Sequence, residues 1–115
     1  MSNGQNNLDI NIDAISQELH VRPEVLKRIV TSFAQTLAEK IIPLEDALLK
    51  DDAIRARAIL HEIRGTSGNL RLTKIYDAAR ILHEAVKANE EKNNLLKYFE
   101  TLKSYALALT EFIKT

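Results

Sequence analysis

The chain has 115 residues and a mass of 13.0 kDa, enough to bury one core and too little for two domains. Sixteen Lys and Arg balance sixteen Asp and Glu, so the global basic bias of a chain that neutralises phosphate backbones is missing and no nucleic-acid partner is expected. The absence of cysteine excludes a disulfide framework, a thiolate nucleophile and any Cys-bearing metal site.

Charged residues at 28% beside 45% hydrophobic ones describe a soluble globule rather than a disordered chain. Average usage would give about eight glycines in this length, yet there are three, Gly4, Gly65 and Gly68, with only Pro23 and Pro43 besides. So few turn formers point to long helices, and they make the close pair Gly65 and Gly68 something to explain.

In chain order, residues 1–8 read as a disordered polar tail, and the domain as 9–115. The start has neither the basic nor the apolar region of a signal peptide. The longest apolar run, Tyr105 to Leu109, is far below the ~18–20 residues needed to cross a bilayer. A cytoplasmic address with no membrane partner is therefore expected. Asp9 to Leu19 reads as a short helix. His20 to Glu24 reads as a turn, with Pro23 at the first position of the next helix.

From there Leu26, Ile29, Phe33, Leu37, Ile41, Leu44 and Leu48 recur at threes and fours along one face of a long helix. Pro43 is expected to kink or split it, and Asp51-Asp52 offers a cap and a new start. A third segment places Ala56, Ile59, Ile63, Thr66 and Leu70 on one face. A fourth runs through Ile75, Ala79, Leu82 and Val86. Asn89 to Asn94 reads as a polar connector with cap candidates Asn93 and Asn94. The fifth carries Leu95, Phe99, Leu102, Ala106, Leu109 and Ile113. No stretch alternates with period two. The expected fold is all-α: an up-down-up-down four-helix bundle with a short additional N-terminal helix.

Few residues can carry chemistry. His20, His61 and His83 are too far apart for a local metal set, and no second histidine follows His61-Glu62 at the metalloprotease spacing. Neither Gly65 nor Gly68 is followed by the Lys-Ser or Lys-Thr of a phosphate-binding loop. At about 100° per residue, Ile59, Ile63, Thr66 and Leu70 cluster on the side of the third helix opposite His61. Arg57, Arg64, Gly65 and Gly68 share the side of His61. An exposed imidazole is thus expected, with Gly65 and Gly68 leaving the surface beside it flat and Arg64 able to meet an anion.

Each interior glycine costs roughly 0.5–1 kcal/mol against alanine, which a partner's close approach would rationalise. Neutral imidazole is a nucleophile near pH 7, and a phosphoimidazole would be offset by a nearby guanidinium. The same residues admit a plainer reading, in which Gly65 to Asn69 end the helix in a glycine cap and His61 is an ordinary surface side chain.

The run His61-Glu62-Ile63-Arg64-Gly65-Thr66-Ser67-Gly68-Asn69-Leu70-Arg71 resembles the histidine phosphotransfer (HPt) domain of bacterial phosphorelays. That family's usual core is His-x-Leu-Lys-Gly, then small residues, a second glycine, and an aliphatic residue followed by a further glycine. Arg64 stands where lysine is commoner, and Arg71 where glycine is frequent. The resemblance spans roughly Pro23 to Ile113, including the helix with Ala78-Ala79 and Glu84.

It implies a phosphoacceptor His61, with Arg64, Gly65, Gly68 and Arg57 supporting the phosphate or the partner. It further implies no intrinsic cofactor, Mg²⁺ being supplied by the receiver domain of a response regulator or hybrid kinase. On this reading the chain is a phosphohistidine carrier rather than an enzyme, and a monomer. His83 is expected as a partly exposed packing residue and His20 as solvated. Arg55, Arg57, Arg64 and Arg71 make the region locally basic, either as a solvated face paired with Asp51, Asp52 and Glu62 or as a surface complementary to the acidic pocket of a receiver domain. One alternative is a helical module that binds or sequesters a receiver without accepting phosphate. Another is the dimerisation unit of a histidine kinase, which usually needs only two long helices per chain.

Overall fold

The computed structural model describes residues 8–114, and all regular structure among them is helical. There are five helices: α1 (Ile12–Leu19), α2 (Pro23–Leu49), α3 (Ala53–Asn69), α4 (Thr73–Lys87) and α5 (Lys92–Ile113). Their starts follow from local chemistry. The Asn11 side chain accepts a hydrogen bond from the Ala14 amide at 3.0 Å. Pro23 opens α2 at a position whose N–H would have no helical partner. Asp52 caps α3 by accepting from the Arg55 amide at 3.1 Å.

Each of the four long helices packs on two others: α2 on α3 and α5, and α4 on α3 and α5, while α1 lies against α2. At about 1.5 Å per residue, the 27 residues of α2 account for the 41 Å length of the molecule. The core is aliphatic, with Leu26, Leu37, Leu44, Leu60, Ile63, Leu72, Ile75, Leu82, Leu102 and Leu109 almost wholly removed from water around Phe99. No helix among the described residues is long and apolar enough to cross a membrane.

Several expectations need correction. Residues 1–7 of the expected tail lie outside the described residues, but Leu8 does not belong to a tail: it is buried in the core. Helix α1 begins at Ile12 and not at Asp9, because Asn11 takes the capping position. Pro43 does not split α2, which is helical on both sides of it. The carbonyl that Pro43 leaves without an N–H belongs to Glu39, an exposed residue whose backbone water can reach. Asn93 and Asn94 lie inside α5, and Glu91 is its N-cap without a side-chain capping bond.

The buried stripe of α3 is also rotated from the expected one. Ala56, Leu60, Ile63 and Ser67 are buried, Ile59 is half-buried and Thr66 is exposed. Ser67 can enter the core because its hydroxyl donates to the Ile63 carbonyl at 2.6 Å, so no polar atom is stranded.

The glycine pair does not end α3. The helix continues through both to Asn69, and neither has positive φ. The left-handed residue that closes it is Arg71 (φ 59°), with the Leu72 amide bonding back to the Ser67 carbonyl at 2.9 Å. A Cβ at Gly65 would meet nothing within 4 Å, whereas one at Gly68 would come within 3.3 Å of the Tyr76 ring. Gly65→Ala should therefore stabilise the fold by about 0.5–1 kcal/mol, the helix-interior difference between the two residues. Gly68→Ala should gain less or lose stability, since the ring must yield. Urea denaturation of the two variants compares them directly; equal gains would show that Tyr76 does not constrain Gly68.

Candidate functional site

The face of α3 opposite its buried stripe carries His61, and the imidazole is exposed. One turn further on, Gly65 is exposed and open above its Cα. These two expected site residues are together on the surface as the sequence suggested. Arg57, a turn before His61, is exposed on the same helix.

Two others differ from expectation. Gly68 does not keep the surface beside His61 flat; it is half-buried and makes room for the Tyr76 ring of α4. Arg64 is half-buried and turned to α4, with its Nη1 3.1 Å from His83 Nδ1 and its guanidinium carbon 5.7 Å from the Tyr76 ring centroid. The flat ring offers a negatively polarised face to the cation, and the imidazole offers a lone pair. Both draw the side chain away from solvent.

His83 is itself buried rather than partly exposed. Burial comes first among the causes that push its pKa below 6.5, followed by the charges of Arg64, Lys87, Arg57 and His61. A guanidinium only donates, so Nδ1 must accept from Arg64 and the imidazole must be neutral, with its proton on Nε2.

Toward α2 the surface beside His61 is an open groove, lined by Phe33, Thr36 and Lys40 on one side and His61, Gly65 and Thr66 on the other. Lys40 was not singled out from the sequence. Its ammonium pairs with Glu62 across the helices, and this cation holds the Glu62 carboxyl below its usual range. Arg55 is engaged elsewhere, with Asp46 at 3.0 Å. Arg71 forms an ion pair with Glu18 of α1 at 2.5 Å. Of the four arginines expected to make the region basic, Arg57 and Arg64 border the imidazole while Arg55 and Arg71 serve the packing of helix ends.

The arrangement offers an exposed imidazole nucleophile with cations on either side: Arg57 and Arg64 along α3, and Lys40 across the groove. Among the described residues, no group of three or more His, Cys, Asp or Glu side chains is placed to hold a metal ion. Compared with protein-family models, curated proteins and solved structures, the chain matches none of them.

The neutral state of His83 gives a pH dependence with a definite sign. Its folded pKa is depressed, so the unfolded chain takes up a proton near 6.5 that the folded chain refuses. Stability is then full above that value and falls as pH drops below it, until the folded imidazole also titrates. Asp46 and Glu62 are held below 3.8 and 4.5, so their contributions persist above those values and are lost only in more acid solution. Urea midpoints at pH 7.5 and 5.5 should fall in the wild type and fall less in His83→Gln. An unchanged slope in the variant would place the dependence on another group.

Proposed function

We propose that the chain is a histidine phosphotransfer module that relays a phosphoryl group between receiver-domain aspartates through His61. In this reading α2 to α5 form an up-down-up-down four-helix bundle with α1 as its additional N-terminal helix. The observation that carries the reading is the pairing of an exposed imidazole with an open Gly65 one turn away, in the middle of an unbroken helix. An interior glycine that touches nothing is a cost to this fold, and the close approach of a second protein to His61 gives it a purpose.

The chemistry is a nucleophilic displacement. A lone pair of the neutral imidazole forms an N–P bond while the P–O bond to the receiver aspartate breaks, and the aspartate leaves as a carboxylate. The receiver supplies Mg²⁺ and in-line positioning; the module supplies the nucleophile and positive charge from Arg57 and Arg64, the Lys40 ammonium being paired with Glu62. Reversal at a second receiver restores the imidazole, so the module carries phosphate without turnover of its own. A cytoplasmic monomer docking on receiver domains is the corresponding setting.

The test combines two donors. Incubation with a phosphorylated receiver and Mg²⁺ should place acid-labile phosphate on the wild type and none on His61→Gln; label retained in that variant would sink the assignment. Gly65→Phe adds bulk where the surface is open. It should still accept phosphate from phosphoramidate, a small donor, while transfer from a receiver falls by at least tenfold. If both donors label Gly65→Phe at the wild-type rate, Gly65 has no part in docking.

A further inference from the structure

Arg64 is held on α4 by two groups, the Nδ1 of His83 and the face of Tyr76. His61 lies three residues before Arg64 on α3, and residues at that spacing are neighbours on a helix surface. Arg64 therefore stands between two possible acceptors: a buried neutral imidazole on α4 and whatever His61 carries. A bare His61 gives the guanidinium little reason to move. A phosphoryl group there would present oxygens with up to two negative charges. A guanidinium can make paired hydrogen bonds to such oxygens with opposite charges on the two partners, whereas His83 offers it one neutral lone pair.

We propose that His83 is a positioning residue that docks Arg64 on α4 while His61 is bare and yields it to the phosphoryl oxygens once His61 is phosphorylated. The proposal rests on the phosphotransfer reading. It explains why a buried imidazole is set among the cationic side chains Arg57, Arg64 and Lys87. A neutral acceptor there holds the arginine with one hydrogen bond, which the phosphoryl group can outbid, where a carboxylate would hold it with a full ion pair. Docking also keeps the guanidinium off the imidazole during attack and supplies it when the product's charge has formed.

The experiment follows the imidazole nitrogens of the full ¹⁵N-labelled chain by NMR. In the bare protein, His83 should show a proton on Nε2 and a hydrogen-bonded Nδ1. Arg64→Gln should move the Nδ1 resonance to higher frequency, as expected for an acceptor that has lost its donor. Treatment with phosphoramidate, whose P–N bond breaks with release of ammonia as the N–P bond to His61 forms, should produce the same displacement in the wild type. His83→Asn, which keeps an acceptor atom near the place of Nδ1, should leave the Arg64 side-chain N–H resonances of the bare protein as they are, while His83→Leu should shift them to solvent-exposed values.

An Nδ1 resonance that Arg64→Gln leaves in place overturns the docking. One that stays in place in fully labelled wild type overturns the release. Failure of phosphoramidate to label His61 overturns the phosphotransfer reading and the release with it, a result distinct from an unmoved resonance in a labelled protein.

Discussion

Burial of Ala56, Leu60, Ile63 and Ser67 fixes the rotation of α3 about its own axis, and every property of the candidate site follows from that rotation. With this stripe against the core, His61 and Gly65 turn to solvent, Arg64 falls on the seam with α4, and Glu62 falls on the seam with α2. A rotation by one residue, about 100°, would bring His61 into the place of Leu60 and bury an imidazole. Leu60 and Ile63 are fully buried, and burying each is worth roughly 1.5–3 kcal/mol, so the register is held firmly by apolar contacts alone. The placement of His61 and Gly65 on the outer face is thus specified by packing on the inner one.

The scarcity of glycine has a structural counterpart. Left-handed conformations at the ends of α1 to α4 are taken by His20, Asp51, Arg71 and Asn89, all with φ between 57° and 59°. These are positions where glycine is ordinarily favoured. The two glycines of the described chain sit instead inside α3, where glycine is disfavoured, and neither uses its freedom of φ. Their reasons differ. Gly68 is explained within the fold by the Tyr76 ring, whereas nothing in the fold explains Gly65. The pair that looks like one motif in the sequence separates into a packing glycine and a surface glycine.

Helix number, order and approximate ends were legible because apolar residues recur every three or four positions and because Pro23 and Asp52 announce starts. What periodicity could not resolve were positions at the edges of the stripes. Thr66 and Ser67 are both small and polar; the burial of Leu60 and Ile63 turns Ser67 inward and Thr66 outward, and the bond from the Ser67 hydroxyl to the Ile63 carbonyl lets the core accept it. Ile29 fits the stripe of α2 by spacing yet is exposed, and Val30 is buried in its stead. His61 and Gly65 were legible as site residues because exposure follows from helix rotation alone. Lys40, Tyr76 and His83 were not, since their contacts with Glu62 and Arg64 run across helix pairs separated by 12 to 22 residues of sequence.

The substitution of arginine at position 64, a departure from the commoner lysine of the family that the sequence resembles, acquires a physical sense from those tertiary partners. A lysine ammonium is a compact point charge, strongly hydrated, and makes a poorer contact with an aromatic face flanked by a single imidazole acceptor. The planar guanidinium can lie over Tyr76 and donate to His83 Nδ1 with the same group. Gly68 then becomes part of this arrangement, because a Cβ there would press on the ring over which Arg64 lies. Arg64, Gly68, Tyr76 and His83 form one packed unit at the α3–α4 seam. The net charge of zero says nothing about it; what matters locally is that its charged member is held by neutral partners, which leaves that charge uncommitted to any carboxylate within the unit.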